Sequence, residues 1–441
     1  APGQGAHFLS ELASAVGGAE NVATPLAESL RDAGRVVVIW GERIARDGDG
    51  AGLLDLAAAL DLAAGDGSGL LEIPDTTNAR GLREAGCLPD AGPGLSATRS
   101  ASTASSMGDA PLVGKPTEEI RAALESGELK SIVLFGVDPL RDFPDSLAWA
   151  RALSAADHVV AFSMFETLTT AAADVVFPIE THAEKDGTVT HPDGRLQRVR
   201  PSASRPGDIR SNLQILSELS TALGHDTGIN SQPTAFSALA NEVPFYADID
   251  DAAIGGRGIR WQDTDAGANA PQPRVEGAPG MGSADTQRGA PGDHTETASA
   301  ARGVASAESM PGAPQPARGV ASADPGSGAP PASGTAALQL GTYRDLWVGP
   351  ITELNPPLKF LQPRQRAELS PADADRLGLK HGDEVEVASN GAVVLAKVAI
   401  RERQQEGVVF LIEGTAEDNA NGLLNGGPVE VEITKLSEIS V

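Results

Sequence analysis

Two periodicities alternate along the first 230 residues: short unbroken apolar runs, and longer stretches in which apolar residues return every three or four positions. The first signals buried strands and the second helices with one apolar face. A helical pattern over 22–34 passes through Gly34 into RVVVIW at 35–40, a β-branched run of the length expected of a buried parallel strand. An alanine- and leucine-rich helix follows at 53–64 and a short strand at 70–73. Thr117, with Glu118 and Glu119 behind it, reads as the N-cap of a helix that stops near Gly127. Then come a strand at 131–135, the tight turn Gly136, Val137, Asp138, Pro139, a helix at 147–153, a strand at 158–162 and an amphipathic helix at 211–223. Strands and helices in this order predict an α/β domain at residues 1–261, built on a doubly wound, mostly parallel sheet.

Neither period survives from 262 to 336. That stretch is glycine, alanine, proline and serine with ARGVASA repeated at 301–307 and 317–323, and it has too few large apolar groups to offset ordering entropy. It is expected to be a disordered linker. Alternation at period two returns after Leu338. Ser370, Pro371 and Asp373 mark a helix start and Gly378 its end, while strands at 384–387 and 393–400 flank the hairpin signal Asn390, Gly391. Further strands at 407–412 and 429–433 complete the prediction for 337–441, a small closed β-barrel with one or two helical turns.

The densest polar segment is ETHAEKDGTVTHPDGRLQ at 180–197. His191, Pro192, Asp193 and Gly194 form a turn signal between short strands at 188–190 and 195–199. Around it, Lys185, Arg195, Arg198, Arg200, Arg205 and Arg210 outnumber Asp186, Asp193 and Asp208, although the whole chain carries a formal charge of -26. Such a cationic island attracts an anion. A cofactor phosphate is one candidate and the protein's own carboxylates are the other, internal pairing being the commoner case.

The acidic balance, with a pI near 4.6, argues against nucleic acid or an anionic membrane surface as partner. No apolar run approaches the roughly 18 residues needed to cross a bilayer, so no direct membrane insertion is expected. The single cysteine, Cys87, excludes an intrachain disulfide and any cysteine-ligated iron–sulfur or zinc site made by this chain alone, and it reads as a small buried hydrophobe. His158, His182, His191 and His225 lack metal-ligand spacing, Ser163 and Ser370 lack a nucleophile elbow, and Glu180 and Glu184 fall in a loop. No catalytic residue or metal ligand is expected. The chain begins at alanine, and an additional N-terminal part is expected to precede it.

The runs IVLFGVDPLRDFPD and FETLTTAAADVVFPIETHAEKDGTVTHPDGRLQ within 132–197, NARGLREAGCLPDAGPG at 78–94, and LSPADADRLGLKHGDEVEVASNGAVVLAKV at 369–398 together resemble the molybdopterin oxidoreductase family. Within it, the likeness is to the C-terminal half of the G subunit of bacterial NADH-quinone oxidoreductase, respiratory complex I. The resemblance implies a double-psi type barrel at 337–441, packed against the α/β domain across a cofactor cleft. It makes Gly136, Asp138, Gly187, His191, Gly194, Arg195 and Gln197 the cofactor-binding candidates should a pterin site survive. Asp138 and His191 depart from the pattern, since the family usually carries asparagine at both places, and a carboxylate repels a pyrophosphate. On this resemblance the segment is a non-catalytic scaffold with no cofactor of its own, and iron–sulfur clusters lie in an N-terminal half outside it. Its partners are the other peripheral-arm subunits, at the cytoplasmic face of the plasma membrane. The alternative is the cofactor-cradling half of an active molybdopterin oxidoreductase of formate dehydrogenase type, holding molybdopterin guanine dinucleotide.

Overall fold

A computed structural model of the chain describes residues 5–41, 44, 50–63, 67–98, 113–207, 209–270 and 337–436. The architecture is α/β followed by a closed barrel. Strand β1 (Val37–Gly41) pairs in parallel with β2 (Gly69–Ile73), and a second parallel sheet runs β3 (Ser131–Phe135), β4 (His158–Ser163), β5 (Val175–Pro178). Helices Gly5–Val16, Thr24–Asp32 and Gly50–Ala59 share one apolar cluster with Leu12, Ala27 and Leu56 at its centre. Helix Ser146–Ala155 backs the second sheet, burying Trp149 and Leu153, the latter against Leu134 and Val159. Its N-cap, Asp145, accepts a hydrogen bond from the Ala148 amide at 3.0 Å.

Several sequence expectations are corrected. The run at 35–40 is buried on one face only: Trp40 is inside, while Val37 and Ile39 are exposed, because among the described residues helices cover a single side of this sheet. Thr117 opens its helix rather than capping it, the cap position falling on Pro116, which has no side chain able to accept a bond. Cys87 is exposed, since the helix Ala79–Glu84 ends before it and the chain turns outward at Gly86. Folded chain also runs beyond 262, through Trp261–Asp263 and the helix Asp265–Ala268 to residue 270; the rest of the expected linker, 271–336, lies outside the described residues.

The hairpin forms where the turn signal put it. Strands β6 (Gly187–Thr190) and β7 (Arg195–Val199) pair antiparallel with Thr190 opposite Leu196, and β8 (Ile259–Arg260) adds to the far side of β7. The barrel strands are β9 (Leu338–Tyr343), β10 (Arg366–Leu369), β11 (Glu384–Ser389), β12 (Ala392–Ile400), β13 (Val408–Ile412) and β14 (Glu430–Lys435), closed in the order β9-β13-β10-β12-β11-β14. Pairs β9/β13 and β10/β12 are parallel and the remaining neighbours antiparallel. Period-two alternation turns Leu338, Leu340, Val385, Val387, Val409, Leu411, Val431 and Ile433 inward. Asn390 and Gly391 both take positive φ, 52° and 78°, as a two-residue turn matched to strand twist requires.

Ser370 caps the helix Pro371–Arg376 by accepting from the Asp373 amide at 3.0 Å. The Asp373 carboxylate in turn accepts from the Ser370 hydroxyl at 2.7 Å and the Gly407 amide at 2.8 Å, and pairs with Arg376. Burial alone would raise its pKa, but the bonds from Arg376, Ser370 and Gly407 outweigh it and hold the group below the usual carboxylate range. A depressed folded-state pKa means stability that is complete above the unfolded value and lost as pH falls through the folded one. Asp373→Asn is therefore expected to lose stability near neutrality and to converge with the parent as pH drops below about 4. Urea midpoints measured across that range check this, and parallel curves for the two proteins would contradict it.

Candidate functional site

Strand β3 ends at the carboxyl edge of its sheet, where open α/β folds place ligands. Gly136, at φ 67°, turns the chain there while its amide donates to the Phe162 carbonyl at 2.9 Å. The carbonyl of Asp138 starts the short helix Pro139–Asp142, accepting from the amides of Arg141 and Asp142, and its carboxylate accepts from the Thr169 hydroxyl. Arg141 then reaches across to the barrel. Its guanidinium bonds both oxygens of Glu353, at 2.8 and 2.5 Å, and the Gly414 carbonyl at 2.5 Å. The Arg141 carbonyl accepts from the side-chain amides of Asn419 and Asn421, at 2.9 and 2.7 Å, and the Asp145 amide donates to the Asn421 carbonyl at 3.1 Å. Beside it Arg344 pairs with Asp142 at 2.9 Å. Burial still pushes the Asp142 carboxyl above its ordinary value, with Asp138 adding to the rise, in spite of the nearby arginines.

These contacts floor a cleft between the α/β unit and the barrel. A cavity of about 580 Å³ is lined by Asp138, Arg141, Glu166, Glu353 and Asp418 among other residues, and one of about 850 Å³ adjoins it along the barrel, adding Lys359, Arg364, Glu384, Lys397 and Glu417. The two share Glu353, Leu354, Thr415, Ala416 and Asp418. Six carboxylates thus face four cations. Two of the cations are already engaged: Arg141 by Glu353, and Lys397 by Glu384 at 3.4 Å. Thr415 is 5% exposed and its buried hydroxyl has no hydrogen-bond partner among the described residues.

The hairpin candidates lie elsewhere. Of the seven residues chosen from sequence only Asp138 lines the cleft; Gly136, Gly187, His191, Gly194, Arg195 and Gln197 line neither cavity. Gly187 opens β6, Gln197 is exposed on β7 opposite Val189, and His191 Nδ1 meets Asp193 at 2.9 Å. Burial acts to raise the Asp193 pKa, but His191, the Arg195 amide and Arg260 together hold it low. Gly194 has φ 85° with the Gln262 amide packed where a Cβ would stand, and Arg195 reaches the carbonyls of Arg257 and Gly258 at 3.5 Å. The cationic island is largely spent internally: Arg198 on Asp186 and Asp251, Arg205 on Glu180, Arg210 on Glu218.

Behind the hairpin sits a buried polar network that sequence reasoning missed. Glu84 accepts from Arg80 at 2.7 Å, from Trp261 Nε1 at 3.0 Å and from the Tyr246 hydroxyl; Arg80 also donates to the Pro192 carbonyl and lies over the Trp261 ring, 5.4 Å from its centre. Burial, reinforced by Glu84, keeps the Tyr246 hydroxyl protonated far above its ordinary range. Asn78 accepts from the Thr190 amide at 2.8 Å, completing the link from helix to hairpin. Arg141, Glu353, Thr415, Asn419 and Asn421 were missed as well. The paired asparagines after β13 are a turn signal, but no local pattern announces what they hold.

Residues 11–222 match the family model Molybdopterin oxidoreductase, and residues 338–434 match the Molydopterin dinucleotide binding domain. The chain belongs to the molybdopterin oxidoreductase family. It is 29% identical to the NADPH-Fe(3+) oxidoreductase subunit alpha of Geobacter sulfurreducens, over 97% of this chain and 46% of that protein. It is 34% identical to the NADH-quinone oxidoreductase G subunit of Streptomyces coelicolor over 48% of this chain and 25% of that one. It is 25% identical to F420-dependent formate dehydrogenase 1 subunit alpha of Methanococcus maripaludis over 85% and 52%. The chain spans about half the length, or less, of these relatives.

The dinucleotide-binding match does not support the expectation that this segment takes no cofactor, and it makes the fit of the cleft the deciding question. A pyrophosphate-bearing group needs cations or spare amides to meet it. This cleft sets carboxylates in surplus, places Asp138 at the sheet edge and commits its central arginine to Glu353. Among the described side chains that line it, the Thr415 hydroxyl is the one buried polar atom left without a partner. The charge does not fit the group. Among the described residues, no cluster of three or more His, Cys, Asp or Glu is disposed to hold a metal ion, and no helix is long and apolar enough to cross a membrane.

Proposed function

We propose that this chain is the scaffold part of an NADH-quinone oxidoreductase G subunit, supporting electron transfer by iron–sulfur clusters carried outside residues 1–441. The observation that carries this reading is the latch at the cleft: Arg141 ties both oxygens of Glu353 and a barrel carbonyl, so protein contacts hold the two units together where an anionic cofactor would otherwise lie between them. The other peripheral-arm subunits are its partners on this reading, at the cytoplasmic face of the membrane. Metal and pterin analysis of the protein purified within its complex is the test. Iron without molybdenum, tungsten or pterin is the expected result.

A second reading has its own support. The match of 338–434 to the Molydopterin dinucleotide binding domain, and the orphaned Thr415 hydroxyl facing both cavities, favour the cofactor-cradling half of a molybdopterin oxidoreductase of formate dehydrogenase type. When bound, molybdopterin guanine dinucleotide would supply two-electron redox chemistry, and Asp138 and Thr415 would be the residues facing it in the cleft, with Gly136, Gly187, His191, Gly194, Arg195 and Gln197 outside both cavities. One molybdenum or tungsten per chain, with formate oxidation, would replace the first reading by this one.

A further inference from the structure

The smaller of the two cavities in the cleft is acidic beyond what the chain itself neutralises. Asp138, Glu166, Glu353 and Asp418 line it against one cation, Arg141, and that arginine is spent on Glu353. The other three enter no ion pair among the described residues: Asp138 accepts from the Thr169 hydroxyl, Asp418 from the Leu395 amide at 3.0 Å, and Glu166 is exposed. Among the described residues no such group is disposed to share a metal ion, so the matching positive charge has to arrive at separate points. Leu147, Leu168, Leu354 and Val393 line the same cavity, each more than half exposed, and a small ion would leave them bare. The Thr415 hydroxyl, 5% exposed and unpartnered among the described residues, can accept from an incoming N–H. The larger cavity differs in charge. It adds Lys359 and Arg364, without ion-pair partners among the described residues, and Glu417, while its Lys397 is paired with Glu384.

We infer that the cleft is the docking groove for a basic segment of a separate subunit, a stretch carrying lysine or arginine together with large apolar side chains, seated with its cations over Asp138, Glu166 and Asp418. Charge complementarity chooses this occupant. An aliphatic polyamine would meet the carboxylates but has no side chains to cover the four apolar ones, and a neutral apolar helix would cover those but bury the carboxylates unpaired, at a high cost. Residues 1–441, in this copy or a second, are a poor source of the charge: 60 acids stand against 34 lysines and arginines, and the basic island at the hairpin is largely spent on Asp186, Asp251, Glu180 and Glu218. The uneven charge also sets a direction, since Lys359 and Arg364 turn a cation away from the larger cavity and toward the smaller. The inference rests on the scaffold reading, in which the cleft holds no pterin and the partners are other subunits.

A photo-crosslinking residue at position 168, in the protein within its native assembly, followed by mass spectrometry of the adduct, identifies the occupant. The expected adduct is to a lysine- or arginine-bearing peptide of another subunit, its yield falling at least about tenfold with Glu166→Lys and less with Glu166→Gln, because a like charge at the contact repels while an amide only withdraws attraction. Glu242, an exposed acid that lines neither cavity, is the control, and Glu242→Lys is expected to leave the yield unchanged. In an assembly free of molybdenum, tungsten and pterin, four results would each overturn the inference and leave the scaffold reading standing: adducts within this polypeptide or to a second copy, adducts to a peptide without lysine or arginine, no adduct, or a yield indifferent to Glu166→Lys. Pterin found in the assembly would overturn both.

Discussion

Glu84→Ala is expected to destabilise the α/β unit by about 3–5 kcal/mol, the range for removing one member of a buried charge pair. Glu84 is 3% exposed and Arg80 6%, so the substitution strands a buried guanidinium that keeps, among the described residues, the Pro192 carbonyl and the Trp261 ring. It also removes the acceptor for Trp261 Nε1 and for the Tyr246 hydroxyl. A domain has about 5–15 kcal/mol in all, so the loss is a large share. Urea unfolding followed by tryptophan fluorescence measures it directly, since Trp261 reports from inside the network. Arg80→Met combined with Glu84→Leu is expected to recover much of the loss, because the stranded charge is then gone. If the double variant were as unstable as Glu84→Ala, geometry and not charge would be the cause.

The second large effect is at the latch. Arg141→Ala breaks an ion pair whose side chains are 13% and 9% exposed and leaves Glu353 charged against the cleft, an expected cost of about 3–5 kcal/mol to the contact between units. Arg141→Lys is expected to lose less, since lysine keeps the charge but cannot fork to both Glu353 oxygens and the Gly414 carbonyl together. Hydrogen exchange at the Asp145 amide, which donates to the Asn421 carbonyl across the same boundary, reads the opening. Its rate should rise in the order parent, Lys, Ala while core amides of the barrel such as Val409 and Leu411 hold theirs. Equal rates at Asp145 in all three proteins would show that the Arg141 pair does not hold the units together.

What could be read from sequence was local. The Ser370 cap, the Asn390, Gly391 turn and the His191 to Gly194 turn each depend on residues within four positions of one another, and each appears at its expected place. Most strands of both units followed from period and length, as did the closed barrel. The resemblance that runs through 132–197 and 369–398 placed the chain in its family. Burial was less legible: an apolar run announces that it will be covered but not on how many sides, and β1 is covered on one.

Tertiary structure decided the rest, for a physical reason visible in particular pairs. Arg141 and Glu353 lie 212 positions apart, and Glu84 and Tyr246 162, so neither pairing leaves any periodic trace. Arg141 in the sequence is one of many cations in an acidic chain, and only the fold, by bringing the Pro139–Asp142 helix against the loop after β13, turns it into a latch and sets the charge of the cleft. Local free energies select strands, caps and turns; which side chains then share a low-dielectric space depends on long-range packing that no short window of sequence contains.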